Sequence, residues 1–270
     1  MMRHRVFQIG FSLIVVVGVV FSYWLRLGPE AEFFRALFYA GVPAVASAMS
    51  FYAFFVYGKR GGYAPVFCSF ATALLLWAVG ELLWVYYENI LGIDPFPSAA
   101  DYFYLAAYPF FLIGVVMALR AGEFSFRKMD ASATFLMGII ITLGAFILGY
   151  FGVYLSFDAS APILNNIISI SYSVGDFILL IAILLTLVLA FAYRGGSLMR
   201  LWLAIFLAFA MILVADVGFS MYNGAYTSGV WWIKNTLDTL WIGGYLYFAL
   251  GFDAYAESVG EAKRKLSRKI

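Results

Sequence analysis

Charged residues are scarce in this sequence. Asp, Glu, Lys and Arg make up 12% of its 270 residues, whereas hydrophobic residues make up 64%. Soluble globular domains carry about a quarter charged residues and about half apolar ones. A soluble chain of this composition would lack the polar residues needed to cover its core. The composition therefore predicts an all-α, polytopic integral membrane protein with the lipid bilayer as its main partner.

Metal-binding residues and catalytic motifs are scarce as well. Cys68 is the only cysteine and His4 the only histidine, which excludes a disulfide scaffold, a zinc site of Cys/His type and a bis-histidine haem. We expect Cys68 to be a small core residue of a helix. The sequence has no phosphate-binding glycine-rich loop, nucleophile elbow or His/Glu metal motif, and its net charge of +2 does not indicate nucleic acid. We therefore expect no cofactor and favour a protein that is not an enzyme.

Eight apolar stretches are long enough to cross a bilayer, which takes about 20 residues. They cover residues 7–27, 34–57, 64–90, 99–119, 131–156, 164–193, 199–222 and 233–254. If the N-terminus is cytoplasmic, only Arg26, Arg35 and Lys234 of the 17 basic residues fall on the outer side. Because cytoplasmic loops collect Lys and Arg, we predict a multi-pass protein of the cell membrane with both termini in the cytoplasm.

An internal repeat is indicated by recurring residues. The offset between matching positions grows smoothly from 134 to 137 residues. The matches are Arg60–Gly62 with Arg194–Gly196, Glu81 with Asp216, and Asp101–Gly114 with Asp238–Gly251. We predict one four-helix repeat over residues 1–128, a second over 129–254, and a basic cytoplasmic tail over 255–270. An even number of helices in each half makes the repeats parallel, related by an axis along the membrane normal.

Acidic residues inside the apolar stretches are candidates for function, because an ionisable group in hydrocarbon is costly. Glu81, Asp176 and Asp216 are such residues. At about 1.5 Å per residue, all three lie about 22–27 Å from the cytoplasmic end. Their common depth predicts a polar cavity that opens on the outer side. A structural hydrogen bond between helices is the alternative role.

Two further aspartates lie near predicted helix starts. Asp101 follows Ser98 by three residues, and Asp238 follows Asn235 by three. Both spacings are typical of a capping box at a helix N-terminus. Lys234, one turn before Asp238, is a candidate ion-pair partner.

Aromatic residues accompany the acids. The candidate ligand-binding residues are Glu81, Asp176, Asp216, Trp77, Trp84, Tyr108, Trp241 and Tyr245. These rings are consistent with an interfacial aromatic belt. Together with the carboxylates, they would alternatively form a cage for a cation or a flat apolar ligand.

Two segments resemble a known group of membrane modules. Residues 94–98 (DPFPS) and 101–105 (DYFYL), followed by Tyr108-Pro109, and residues 173–177 (SVGDF) are similar to segments found in those modules. The modules lie at the N-termini of many prokaryotic diguanylate cyclases, cyclic-di-GMP phosphodiesterases and histidine kinases. The resemblance implies a sensory function. Because no output domain follows the last span before Ile270, we expect signalling to a cytoplasmic partner in trans.

Three functional hypotheses follow. The first is a membrane-embedded sensory or interaction module that binds a small ligand or lipid. The second is a proton-, sodium- or cation-coupled transporter that uses Glu81, Asp176 and Asp216, although the cytoplasmic half of the membrane offers no acids for an inner route. The third is an intramembrane hydrolase built on two aspartates.

Overall fold

The chain folds into helices alone over the parts that the structure describes. This computed structural model describes residues 2–24, 30–58, 61–122 and 130–267, and these ranges contain eight α-helices and no strand. The helices are α1 (Met2–Val19), α2 (Glu30–Tyr57), α3 (Ala64–Val85), α4 (Ala99–Ala121), α5 (Ala131–Ile147), α6 (Ile163–Ala192), α7 (Ser197–Thr227) and α8 (Trp231–Ser267). The predicted all-α fold is confirmed. Several basic residues used in the topology prediction lie outside the described residues: Arg26, Lys59, Arg60, Arg127, Lys128, Arg268 and Lys269.

Six helical stretches in the described ranges are long and apolar enough to cross a membrane. They are Ala36–Tyr57, Ala64–Leu91, Ala99–Ala121, Ala131–Tyr154, Ile163–Ala192 and Ser197–Thr227. The apolar part of α1, Val6–Val19, is shorter. Helix α8 carries polar residues along its length and is not among the six. The chain is therefore a multi-pass helical membrane protein, and the count of eight spans stays a prediction.

The odd-numbered helices share an irregular end. Helices α1, α3 and α5 continue into π-helical turns at Val20–Trp24, Tyr86–Leu91 and Leu148–Tyr154. Helix α7 has non-helical backbone angles at Tyr222, with φ −121° and ψ 24°. Such interruptions of regular α-helix often lie at functional sites.

The helices alternate in direction, so their ends gather into two groups. At one end, the Lys263 Nζ of α8 donates to the carbonyl oxygens of Val56 (2.6 Å) and Tyr57 (3.1 Å) at the end of α2. There the hydroxyls of Tyr63 and Tyr193 lie 2.9 Å apart. We call this group the basic end, because exposed basic residues lie there: Arg120, Arg194, Lys263, Arg264 and Lys265.

At the opposite end, the last residues of α1 contact the start of α8. The Trp24 ring packs edge-on against Trp231 with centroids 5.3 Å apart, and the Asn235 amide donates to the Tyr23 carbonyl over 2.6 Å. Lys234 forms an ion pair with Glu88 at 3.4 Å. These contacts hold α1, α3 and α8 together at this end.

A group of phenylalanines fills the centre between the two ends. We call Phe70, Phe111, Phe209, Phe248 and Phe252 the phenylalanine core; each is fully buried. Phe111 and Phe248 stack at 5.6 Å with their planes 13° apart. Because lipid tails are as apolar as these rings, close van der Waals packing rather than water exclusion holds this core together.

Two glycines allow helices to approach the centre closely. A Cβ at Gly114 would lie 2.8 Å from the Phe70 ring, and a Cβ at Gly251 would lie 2.8 Å from the Ala204 Cβ. Side chains at either position would push neighbouring helices apart.

Cys68 and helix α5 lie at the surface of the helical bundle. Cys68 is exposed, so its predicted core position is wrong; it lies on the outer face of α3. Helix α5 buries no residue along its length. It contacts the bundle at Gly144, which lies close to Leu180 of α6, and through its π-helical continuation, where Gly152 packs against Ser173 of α6.

Candidate functional site

Glu81 lies at the meeting point of three helices. Its carboxyl accepts a hydrogen bond of 2.8 Å from the Tyr245 hydroxyl of α8, and the Tyr104 ring of α4 lies against the adjacent Gly80. Glu81 is 5% exposed and Tyr245 is 3% exposed. Because a buried carboxyl needs hydrogen-bond donors, the Tyr245 hydroxyl stabilises Glu81 in this position.

Asp176 of α6 and Asp216 of α7 each accept a hydrogen bond from an aromatic residue of another helix. The Tyr108 hydroxyl of α4 donates to Asp176 over 3.3 Å, and the Trp241 Nε1 of α8 donates to Asp216 over 2.7 Å. Asp176 is 3% exposed, whereas Asp216 is half-buried. Asp176 thus links α6 to α4, and Asp216 links α7 to α8.

Asp101 has the predicted capping role and one further contact. Ser98 and Asp101 form a capping box at the start of α4, which confirms that prediction. The Ser98 backbone N–H donates to Asp101 Oδ2 over 2.6 Å. The Tyr172 hydroxyl of α6 donates to Oδ1 of the same carboxyl over 2.7 Å. Asp101 therefore also ties α4 to α6.

The corresponding prediction for Asp238 is wrong. Helix α8 begins at Trp231, so Asp238 lies beyond the first turn and cannot cap the helix N-terminus. Its carboxyl accepts a hydrogen bond of 2.8 Å from the Tyr226 hydroxyl of α7. Lys234 forms its ion pair with Glu88 instead.

One rule covers all five acids: each accepts a hydrogen bond from a tyrosine hydroxyl or a tryptophan N–H. We call them, with their donors, the acid–aromatic cluster. The pairs are Glu81 with Tyr245, Asp101 with Tyr172, Asp176 with Tyr108, Asp216 with Trp241, and Asp238 with Tyr226. Across the described ranges, no group of three or more His, Cys, Asp or Glu is arranged to hold a metal ion.

The structure brings together all but one of the predicted site residues. Trp77 packs edge-on against Tyr108 (6.1 Å) and Tyr245 (5.8 Å), and its Nε1 donates to the Tyr104 carbonyl over 3.2 Å. Trp84 lies apart from the cluster and donates to Glu88 over 3.2 Å. The predicted outward-opening cavity stays a prediction.

Two of the donors, Tyr172 and Tyr226, are not predicted by the sequence. Tyr172 precedes Asp176 by one helical turn, so a local pairing would be the natural guess, yet Tyr172 reaches Asp101 on another helix. Tyr226 follows the irregular backbone at Tyr222. The Asn223-Gly224 dipeptide is the only local signal for such an irregularity.

The loop around Asp158, at the end of the bundle opposite the basic end, is held by local hydrogen bonds. Asp158 accepts hydrogen bonds from the Ser160 hydroxyl (2.6 Å) and backbone N–H (2.8 Å). These bonds hold the pKa of Asp158 below its usual range. Asn166 also bonds both backbone groups of Asp158, at 2.8 and 3.0 Å. The loop therefore enters α6 in a defined conformation.

No family model, curated protein or solved structure matches the chain. The resemblance to sensor modules accordingly stays a prediction. The acids and their aromatic donors are the ground for any functional proposal.

Proposed function

We propose that this chain is a sensory module of the cell membrane. Its acid–aromatic cluster receives a small ligand or lipid from the end of the bundle that lies opposite the basic end. Helix α8 transmits the resulting conformational change to a cytoplasmic signalling partner. The continuity of α8 is the observation that carries this proposal. One helix of 37 residues holds Asp238, Trp241 and Tyr245 in the cluster and runs to Ser267. It is about 55 Å long, well beyond the ~30 Å of bilayer hydrocarbon.

The contacts of α8 explain how a signal would travel. Tyr245 bonds Glu81 of α3, and Trp241 bonds Asp216 of α7. A ligand that altered either bond would change the fit of α8 against both helices. At the basic end, Lys263 joins α8 to the last carbonyls of α2. A shift of α8 would therefore reach the cytoplasmic surface as a change at this junction.

We propose eight spans, with the basic end in the cytoplasm. The exposed arginines and lysines at that end support this orientation. Single cysteines at Lys59, Arg127 and Asp158, in a Cys68→Ala background, test it. A membrane-impermeant maleimide should reach the first two from the cytoplasmic side and the third from the outer side. Labelling of position 127 from the outer side would refute the topology.

We also propose that the halves 1–128 and 129–254 are parallel repeats. The matching tyrosines Tyr108 and Tyr245 each bond an acid of the other half: Tyr108 bonds Asp176, and Tyr245 bonds Glu81. Phe111 and Phe248 occupy matching positions of the two halves and stack on each other. Matching residues that lie beside a twofold axis would make such a contact.

Cation-coupled transport is a second candidate. The position of the cluster between the proposed halves favours it, because many transporters bind substrate at a repeat interface. The phenylalanine core argues against it, since these buried rings fill the space between the cluster and the basic end. Ions would have no polar path across that layer. Sensing requires no such path.

An intramembrane aspartyl hydrolase is the third candidate. The presence of Asp176 on α6 and Asp216 on the following helix α7 favours it, because aspartyl hydrolases use two carboxyls that share a proton. Both carboxyls are already held by Tyr108 and Trp241. A sensory role therefore accounts better for these hydrogen bonds from Tyr108 and Trp241 than a hydrolase does.

Spin labels on the basic end test the sensory proposal. Cysteines replace Ala121 at the end of α4 and Ser267 at the end of α8, both exposed, in a Cys68→Ala background. The inter-label distance distribution is measured by double electron–electron resonance in lipid nanodiscs. We expect Tyr245→Phe to shift or broaden it, because this change removes the hydrogen bond between α8 and Glu81.

Tyr247→Phe is the matched control. Tyr247 lies on the same helix, is 37% exposed, and loses the same atom. The control should leave the distribution unchanged. If Tyr245→Phe also left it unchanged, α8 would not transmit the state of the cluster and the sensory proposal would fall.

A further inference from the structure

The ammonium group of Lys234 lies between a carboxylate and an aromatic ring at the end of the bundle opposite the basic end. Its Nζ is 3.4 Å from Glu88 Oε1, in the π-helical continuation of α3. The same Nζ lies over the Tyr226 ring of α7, 5.6 Å from the ring centroid. A carboxylate attracts a cation by its charge, and the face of an aromatic ring attracts it by its quadrupole. The chain thus places one of its own cations where a free ammonium ion would bind.

The contact that Lys234 makes is open to exchange. The side chains of Lys234 and Glu88 are 27% and 44% exposed, and exposed ion pairs contribute little to stability. Glu88 also accepts a hydrogen bond of 3.2 Å from Trp84 Nε1, which holds its carboxylate in place without the lysine. A dissolved cation can therefore take the place of the Lys234 ammonium.

The charges at this end favour a cationic ligand. Glu88, Asp94 and Asp158 are exposed there, and Asp101 and Asp238 lie in the first turns of helices that begin at this end. By sequence position, three of the 17 basic residues belong to this end: Arg26, Arg35 and Lys234. The side chains of Arg26 and Arg35 lie outside the described residues. An excess of carboxylates raises the local concentration of cations and repels anions.

Tyr226 connects the Lys234 contact to the acid–aromatic cluster. Its hydroxyl donates to Asp238 over 2.8 Å, and its ring packs edge-on against the Trp241 ring at 6.0 Å. Trp241 in turn donates to Asp216 over 2.7 Å. Glu88, on the other side of the lysine, lies in a π-helical turn, an interruption of regular helix that is frequent at functional sites.

We propose that Glu88 and the Tyr226 ring form a binding site for an organic ammonium ion, and that Lys234 is its internal occupant, which the ligand displaces. A quaternary ammonium group fits as well as a primary one, because the ring attracts a cation without needing an N–H donor. Displacement releases α8 from the end of α3 at Lys234 and places the charge of the ligand on Tyr226. The ligand would then be the input of the sensory module, a role that rests on the proposed function.

Acetylation of the full chain in lipid nanodiscs tests the displacement. Sulfosuccinimidyl acetate modifies free lysine amines, and mass spectrometry measures the initial rate at each lysine. Tetramethylammonium, which cannot react with this reagent, should raise the rate at Lys234 about two- to fivefold over NaCl of equal concentration, as expected for release from an exposed ion pair. Lys265, exposed at the basic end, should react equally in the two salts.

Saturation-transfer NMR of tetramethylammonium identifies the groups that bind it. Lys234→Met removes the internal occupant and keeps the aliphatic stem, so binding should become about two- to fivefold tighter. Adding Glu88→Gln should reverse this gain. The matched control is Asp94→Asn, which removes the same charge from the same end and keeps an acceptor for the Phe96 N–H. It should change binding by less than about twofold, because solvent and salt screen charges that do not touch the ligand.

Variants of Tyr226 separate the ring from its hydroxyl. Tyr226→Phe keeps the ring and loses the bond to Asp238, so the Lys234→Met protein should still bind tetramethylammonium when it carries this change. Tyr226→Leu removes the ring and should abolish binding. Loss of binding in both variants would assign the effect to the fold around Asp238 and overturn the role of the ring.

Three further results would overturn the ammonium site. They are equal weakening by Glu88→Gln and Asp94→Asn, equal binding of the neutral analogue tert-butanol, and a Lys234 acetylation rate that tetramethylammonium leaves unchanged. Binding that passes these tests while the distance between spin labels at residues 121 and 267 stays constant would support the site and count against the sensory function. Absence of binding together with a shifted distance in Tyr245→Phe would overturn the site and leave the sensory function standing.

Discussion

The hydrogen bond between Tyr245 and Glu81 allows a quantitative test of the cluster. Its partners are separated by 164 residues, lie 2.8 Å apart and are both buried. Hydrogen bonds between transmembrane helices contribute about 0.6 kcal/mol on average and up to about 1.7 kcal/mol. Short length and burial place this one near the upper end. A double-mutant cycle with Tyr245→Phe and Glu81→Met should therefore give a coupling energy of about 1.5 kcal/mol.

The cycle is informative because removing one partner leaves the other unsatisfied. A buried polar group without its partner costs about 1–3 kcal/mol, whereas removing both partners is close to neutral. The double variant should accordingly be less destabilised than the two single variants together. Equilibrium unfolding in mixed dodecylmaltoside and dodecyl sulfate micelles, followed by tryptophan fluorescence, measures each free energy. A coupling energy within about 0.5 kcal/mol of zero, the range of independent sites, would refute the assigned bond.

Three further predictions concern helix packing, the basic end and the loop around Asp158. Gly114→Ala should destabilise the fold by about 1–3 kcal/mol in the same unfolding assay, because its Cβ meets a buried ring. Gly138→Ala, whose Cβ meets nothing within 4 Å, should not destabilise the fold and should stabilise it by up to about 1 kcal/mol, because alanine is the better helix former. Lys263→Met should speed amide exchange in the last turns of α8 about two- to fivefold, since the lysine bonds carbonyls at the C-terminus of α2; Lys265→Met should not. Because the pKa of Asp158 is lowered, its hydrogen bonds from Ser160 should persist as the pH falls through the usual pKa range of an aspartate. They should be lost only when the pH falls through the lowered pKa of Asp158. The NMR chemical shift of the Ser160 amide, which donates to Asp158, should change with pH as these bonds are lost. Asp158→Asn should abolish this pH dependence.

The sequence alone was sufficient for the class of fold and the choice of acids. Scarce charge and long apolar stretches require a membrane solvent, and within it every backbone group must bond inside a helix. The cost of an ionisable group in hydrocarbon singled out Glu81, Asp176 and Asp216 before any contact was known. The cap at Asp101 was also predictable, because Ser98 and Asp101 interact within one turn.

Contacts between distant helices were decided only by the tertiary structure. Helical periodicity places Trp77, Glu81 and Trp84 on one face of α3, yet only Trp77 packs against Tyr108 and Tyr245 of other helices, whereas Trp84 bonds its own neighbour Glu88 four residues on. Asp238 resembled a cap until the start of α8 at Trp231 placed it beyond the first turn.

The pairing of acids with donors has the same origin. Tyr172 lies one turn from Asp176 but bonds Asp101, 71 residues away. Periodicity determines the face of a helix on which a residue lies. The neighbour that this face meets depends on how helices distant in sequence cross, and here those crossings are set by the close approach at Gly114 and Gly251 and by the buried phenylalanine core.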